Sequence, residues 1–117
     1  MRIAYFYVMT DDADHVRAVA PDHAAYWRDR HPAGYVGGPM ADRTAGLITF
    51  ETASIEEAQS FVDDDPFVRS GVLARLWVKE WVPASDDMAE RDLRAAGPGR
   101  TAGDSTHRDG AAYVAGR

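Results

Sequence analysis

The order of apolar stretches constrains this chain most, because short β-branched and aromatic runs take turns with helically spaced stretches before residue 83. Residues 2–9, Arg-Ile-Ala-Tyr-Phe-Tyr-Val-Met, are rich in β-branched and aromatic types and read as a strand. After Arg2 the run is apolar on both faces, which suits a central strand or an edge hidden by a partner chain. From about Asp14 to Arg30 the spacing turns helical: Val16, Val19, Ala20, His23, Tyr26 and Trp27 recur three and four residues apart. Pro21 interrupts this run and removes an i→i−4 bond, so the pattern predicts a break and a new helix starting near Pro21. Pro32 and Gly34 stop it.

Two short strands, 34–38 and 45–51, flank Gly37-Gly38-Pro39-Met40-Ala41-Asp42. The paired glycines let another backbone or a ligand approach closely, and Pro39, lacking an N–H, is expected to end the ladder and leave Asp42 at the rim. Ser54-Ile55-Glu56-Glu57 is a capping box opening a helix with Ile55, Ala58, Phe61 and Val62 on one face. That helix runs into Asp63-Asp64-Asp65, a charge cluster unfavourable at the negative end of a helix dipole. Pro66 forces a turn, and a last strand follows Gly71, from Val72 to Val82. The order β-α-β-β-α-β predicts an α+β, ferredoxin-like fold, one antiparallel sheet with two helices on one face. The uncovered face would expose apolar side chains of the first and last strands, which predicts a homodimer.

Charge and composition narrow the function. The 117 residues suit one domain, expected over residues 1–83. The net charge is −6 with no basic stripe, which argues against nucleic acid as a partner. No apolar run approaches a membrane span and no leader-like segment opens the chain, so no membrane partner and a cytoplasmic location are expected. Zero cysteines exclude disulfides, thiolate catalysis and cysteine-ligated metals. Residues 84–117 are rich in Ala, Gly, Asp and Arg and read as a flexible extension, with a short helix over Met88–Ala96.

Three residues stand out as candidate chemistry. His23 lies on the apolar side of the first helix, four residues from Val19 and from Trp27. Alone, it reads as a core histidine bonded to a backbone carbonyl; Asp42 alone reads as a solvated turn residue, and Asp65 as an N-cap for a turn begun by Pro66. Together they form a general acid–base set, because a carboxylate fixes the imidazole tautomer and raises its basicity. Asp42 is the first choice as partner of His23 and Asp65 the second. No His-x3-His pair or local ligand cluster suggests a metal, and no phosphate or dinucleotide loop is present, so no cofactor is expected.

His23-Ala24-Ala25-Tyr26, Gly38-Pro39-Met40-Ala41-Asp42, Ser54-Ile55-Glu56-Glu57-Ala58, Asp65-Pro66-Phe67 with Gly71-Val72, and Val78-Lys79-Glu80-Trp81 stand in this order. In order and spacing the set resembles the YCII (YciI-like) family over residues 1–83. The resemblance implies a dimeric α/β-barrel of two ferredoxin-like units. It also implies an active site using a histidine and an aspartate, matching His23 and Asp42, with Asp65 as a further polar wall. Members with an assigned reaction suggest cofactor-free elimination or isomerisation of small, ring-derived acids. Trp27 and Arg28 stand where the family usually has aliphatic residues, and the 84–117 extension is outside the pattern.

The functional expectation is a small lyase, isomerase or cyclase. His23 serves as base or acid next to a carbonyl, Asp42 orients it, and Asp65, crowded by Asp63 and Asp64, is a second proton carrier. Arg43 or Arg69 holds a substrate carboxylate, with Tyr26, Trp27, Pro66 and Phe67 lining the pocket. The alternative is a non-catalytic dimer that binds a metabolite or a partner protein.

Overall fold

The structure, a computed structural model, describes residues 1–84. Strand β1 (Arg2–Met9) leads into helix α1 (Ala13–Arg30), strands β2 (Val36–Pro39) and β3 (Ala45–Glu51), helix α2 (Ile55–Asp63), the one-turn helix α3 (Pro66–Arg69) and strand β4 (Leu73–Glu80). The strands form one antiparallel sheet in the order β2-β3-β1-β4. This is the ferredoxin-like α+β arrangement, with α3 added before the last strand.

Strand β1 organises the core, because it pairs on both sides and its side chains alternate faces. Ile3, Tyr5 and Tyr7 are buried on the helix side, while Ala4, Phe6 and Val8 on the opposite face are only partly covered. Trp27 of α1, Ala58 and Val62 of α2, Phe67 of α3 and Ile48, Phe50 and Leu76 of the neighbouring strands complete one cluster. Each large apolar side chain so buried contributes roughly 1.5–3 kcal/mol.

Helix α1 is continuous through Pro21, contrary to the expected break. Pro21 is exposed, so the lost hydrogen bond falls on the solvent side, while Val19 and Trp27 hold the other side to the core. Asp12, accepting from the His15 N–H, caps its start. Nor does Pro39 end the ladder: it lies opposite Gly46, and Met40 N–H bonds Ala45 O beyond it. Strand β2 is an edge strand, where a missing N–H is tolerated. The last strand is shorter than expected, Leu73–Glu80 instead of 72–82. The expected extension past residue 84, with its helix over Met88–Ala96, lies outside the described residues. Among the described residues no helix is long and apolar enough to cross a membrane.

Candidate active site

Asp65 is the centre of the polar structure inside this core. It ends the acidic run after α2 and N-caps α3, accepting the Phe67 N–H at 2.9 Å on Oδ1. Its side chain is fully buried. A buried carboxylate is tolerated only when its lone pairs are satisfied. Here the Tyr5 hydroxyl donates at 2.8 Å and the Trp27 indole N–H at 3.2 Å to Oδ2, and His23 Nδ1 lies 2.7 Å from Oδ1. Trp27 and His23 are one turn apart on α1, so one helix face delivers both donors. The acidic run thereby acquires a reason: Asp65 is turned inward, while Asp64 pairs outward with Arg69 at 2.8 Å.

This network assigns the imidazole tautomer. With Asp65 a carboxylate that accepts from a backbone N–H and an indole N–H, Nδ1 is assigned the hydrogen toward Oδ1, and in the neutral ring Nε2 keeps its lone pair. The ring is stacked on Phe67, 3.9 Å between centroids and 13° between planes, which fixes its orientation. Nε2 lies 3.4 Å from the Tyr7 hydroxyl. Burial, then the Asp65 charge and then Tyr35 push the Tyr7 phenol well above its ordinary range, so it remains a hydrogen donor.

His23, Tyr7 and Phe67 line a cavity of about 1070 Å³. It runs along α1 from Ala13 to the cap residue His31 and is flanked by the end of β1, by β2 and by the β2–β3 turn. Val16, Ala20, Trp27 and Ile48 make much of the wall apolar, and Arg17, Arg28 and Arg43 contribute to it.

The carboxylate within hydrogen-bond reach of His23 is Asp65, the second choice from the sequence, rather than Asp42. Asp42 lines the same cavity, but its Oδ1 accepts the Thr44 N–H at 3.0 Å and the Thr44 hydroxyl at 2.8 Å, and these bonds hold its carboxyl below the ordinary range. It is exposed and serves the β2–β3 turn, which Arg43 N–H closes onto Met40 O. Arg43 takes a left-handed backbone, φ 67°, and joins the cavity wall. Asp65 is held as an acceptor by donors on both oxygens, which does not suit it to carry protons.

The remaining expected contacts divide. Trp27 and Phe67 line the cavity. Tyr26, Pro66 and Arg69 do not: the Tyr26 hydroxyl donates to Phe61 O at 2.6 Å, Pro66 begins α3, and Arg69 is paired with Asp64. Tyr5 and Tyr7 escaped the sequence reading because tyrosines in an apolar strand read as core. Their signal was that a buried phenol needs a hydrogen-bond partner, and both fall on one face of β1. Among the described residues no group of three His, Asp or Glu side chains comes together to hold a metal ion.

Fold and site together define a split βαβ domain carrying a buried carboxylate–imidazole pair at the wall of a largely apolar cavity. The chain belongs to the YCII-related domain family, whose model matches residues 1–82. No curated protein matches it. Among solved structures, it is similar to 5-chloro-2-hydroxyhydroquinone dehydrochlorinase (TftG) from Burkholderia phenoliruptrix AC1100, in complex with 2,5-dihydroxybenzoquinone. That similarity has a TM-score of 0.63 and 25% sequence identity, covering 70% of this chain and 94% of the other.

Proposed function

We propose that this chain is a small-molecule enzyme of the lyase or isomerase type, in which His23 is the general base and Asp65 its orienting partner. The observation that carries the reading is the 2.7 Å contact between His23 Nδ1 and a fully buried carboxylate, with the imidazole itself on the cavity wall. A proton leaves a C–H bond next to a carbonyl for Nε2, and the C–H electron pair forms a new C=C bond. In an elimination the leaving group departs with its own bonding pair as an anion, and the imidazolium afterwards releases its proton to water. In an isomerisation the imidazolium returns the proton to another carbon. Asp65 stabilises the imidazolium without taking its proton, as fixed dipoles and charges do best in a water-poor site. The similar dehydrochlorinase supports a small ring substrate and an elimination.

The test is a panel of hydroxylated and chlorinated ring compounds, including 5-chloro-2-hydroxyhydroquinone, assayed for chloride and proton release. His23→Gln keeps an N–H for Asp65 and is expected to remain folded while losing about 10²–10⁴-fold in rate. No turnover across the panel, with 2,5-dihydroxybenzoquinone bound equally by wild type and His23→Gln, would instead favour the non-catalytic binding module.

A further inference from the structure

We infer that Tyr7 is a second functional group of this site, the hydrogen-bond donor to the substrate oxygen that gains charge as His23 takes the proton, and that Gly46 is the positioning residue that seats it. The inference rests on the reading of His23 as base and adds the group that meets the carbonyl oxygen beside the acidic C–H.

The first observation is the state of Nε2. In the neutral ring, with Nδ1–H given to Asp65, Nε2 accepts, and the Tyr7 hydroxyl is the donor beside it. At 3.4 Å this bond is long for a hydroxyl donor, so it is weak and a ligand oxygen competes for it easily. When a ligand takes the hydroxyl hydrogen, the Nε2 lone pair is released for proton abstraction. One event thus arms the base and binds the substrate oxygen.

The second observation is how firmly the phenol is placed. Tyr7 faces Gly46 in the β1–β3 register. A Cβ at position 46 would stand 2.3 Å from both the hydroxyl oxygen and Cζ of Tyr7, so the ring occupies the space a side chain would need. Tyr5 at 4.9 Å and Phe67 at 5.8 Å between ring centroids hold its other sides. The absence of a side chain at Gly46 thus sets where the hydroxyl end can lie, beside His23 Nε2 at the cavity wall.

The chemistry closes on these two facts. As the C–H pair moves to form C=C, the carbonyl π pair moves to oxygen, and the enolate oxygen lies one bond beyond the carbon that lost its proton. A base and an O–H donor side by side match that arrangement. The phenol keeps its proton throughout, and the charge on the substrate oxygen is stabilised by the hydrogen bond alone.

The probe is 2,5-dihydroxybenzoquinone, which carries a ring C–H beside a carbonyl, used with ¹⁵N NMR of the His23 ring. In the ligand-free protein, Tyr7→Phe should move the Nε2 resonance and leave the Nδ1–H signal of the Asp65 bond in place. The same variant should bind the probe about tenfold more weakly, the loss expected for one hydrogen bond. Gly46→Ala should weaken probe binding similarly, and the double variant should lose little more than either single one. An unmoved Nε2 resonance, or probe affinity within about twofold of wild type in Tyr7→Phe, overturns the inference; should Gly46→Ala fail to fold, Tyr7→Phe decides alone. Turnover lost in His23→Gln but retained in Tyr7→Phe would leave the base and remove the tyrosine. Probe affinity lost in Tyr7→Phe, from a protein that turns nothing over, would leave a ligand contact and remove the catalytic role of both.

Discussion

Asp65 does two jobs at once: it starts α3 and it fixes the imidazole of His23. Its carboxylate is an acceptor on both oxygens, which an amide cannot imitate. In Asp65→Asn one terminal atom becomes an N–H donor, facing either the Tyr5 hydroxyl and Trp27 N–H or the His23 and Phe67 N–H groups. We expect urea unfolding to show a loss of about 2–4 kcal/mol, the range for breaking a buried charged network; a loss under about 1 kcal/mol would mean that the network is slack. At this scale the sequence was partly legible. His23 and Asp65 are recognisable from residue type and setting, and one side chain both N-caps α3, as its place before Pro66 suggests, and lies against the His23 imidazole. Asp42 was the favoured partner because the glycine-rich stretch draws the eye, yet an Asx contact within its own turn captures it first. The part played by Tyr7 depends on a residue 39 positions away in the chain, across a strand register that no local pattern encodes.

Among the elements, periodicity and caps carried most of the information. Strand β1, the 45–51 strand and the Ser54 start of α2 stand where apolar spacing and the capping box put them. Ser54 accepts the Glu57 N–H at 3.1 Å, and the Glu57 carboxylate reaches back to the Ala53 N–H at 3.0 Å. Ser54→Ala removes the first of these bonds at the start of a helix of only nine residues. The expected cost is about 1 kcal/mol in chemical denaturation, with Ser54→Asp, which can cap equally well, close to wild type. Equal losses in both variants would show that the side chain does something other than cap. Pro21 and Pro39 were misjudged for one reason. A proline counts against an element when its missing N–H would have been buried, and here one lies on the solvent side of α1 and the other on an edge strand. Exposure of a single backbone group is a tertiary property, and sequence spacing does not reveal it. The one-turn helix α3 was legible as an Asp65–Pro66 start, but its importance was not, since it also brings Phe67 onto the face of His23.

For the whole molecule, the sheet face opposite the helices sets the last prediction. One row across it reads Gly38, Leu47, Phe6 and Trp77 by register, from β2 through β3 and β1 to β4. Leu47, Phe6 and Trp77 are each only partly covered, and Phe6 and Trp77 touch with ring centroids 5.4 Å apart. Ala4 and Val8 extend the apolar band on either side, while Arg75, lying over the Trp77 ring at 5.3 Å, and Lys79 mark its border. A central aromatic patch with a charged rim is the anatomy of a protein interface. The same face on an isolated domain would keep these rings in contact with water at about 25 cal/mol per Å². We therefore expect a homodimer that presses two such faces together, leaving each helix layer and its cavity on the outside. Light scattering of the full chain should give twice its 12.8 kDa mass at micromolar concentration. Trp77→Glu places a charge at the centre of the row and should shift the protein to the monomer mass. Because Trp77 lies on the far side of the sheet from Asp65 and His23, the ¹⁵N signature of the His23–Asp65 bond should survive the substitution. A wild-type protein that stays at the monomer mass at that concentration, or a Trp77→Glu variant that remains dimeric, would place the contact elsewhere and leave this face without the role its side chains suggest.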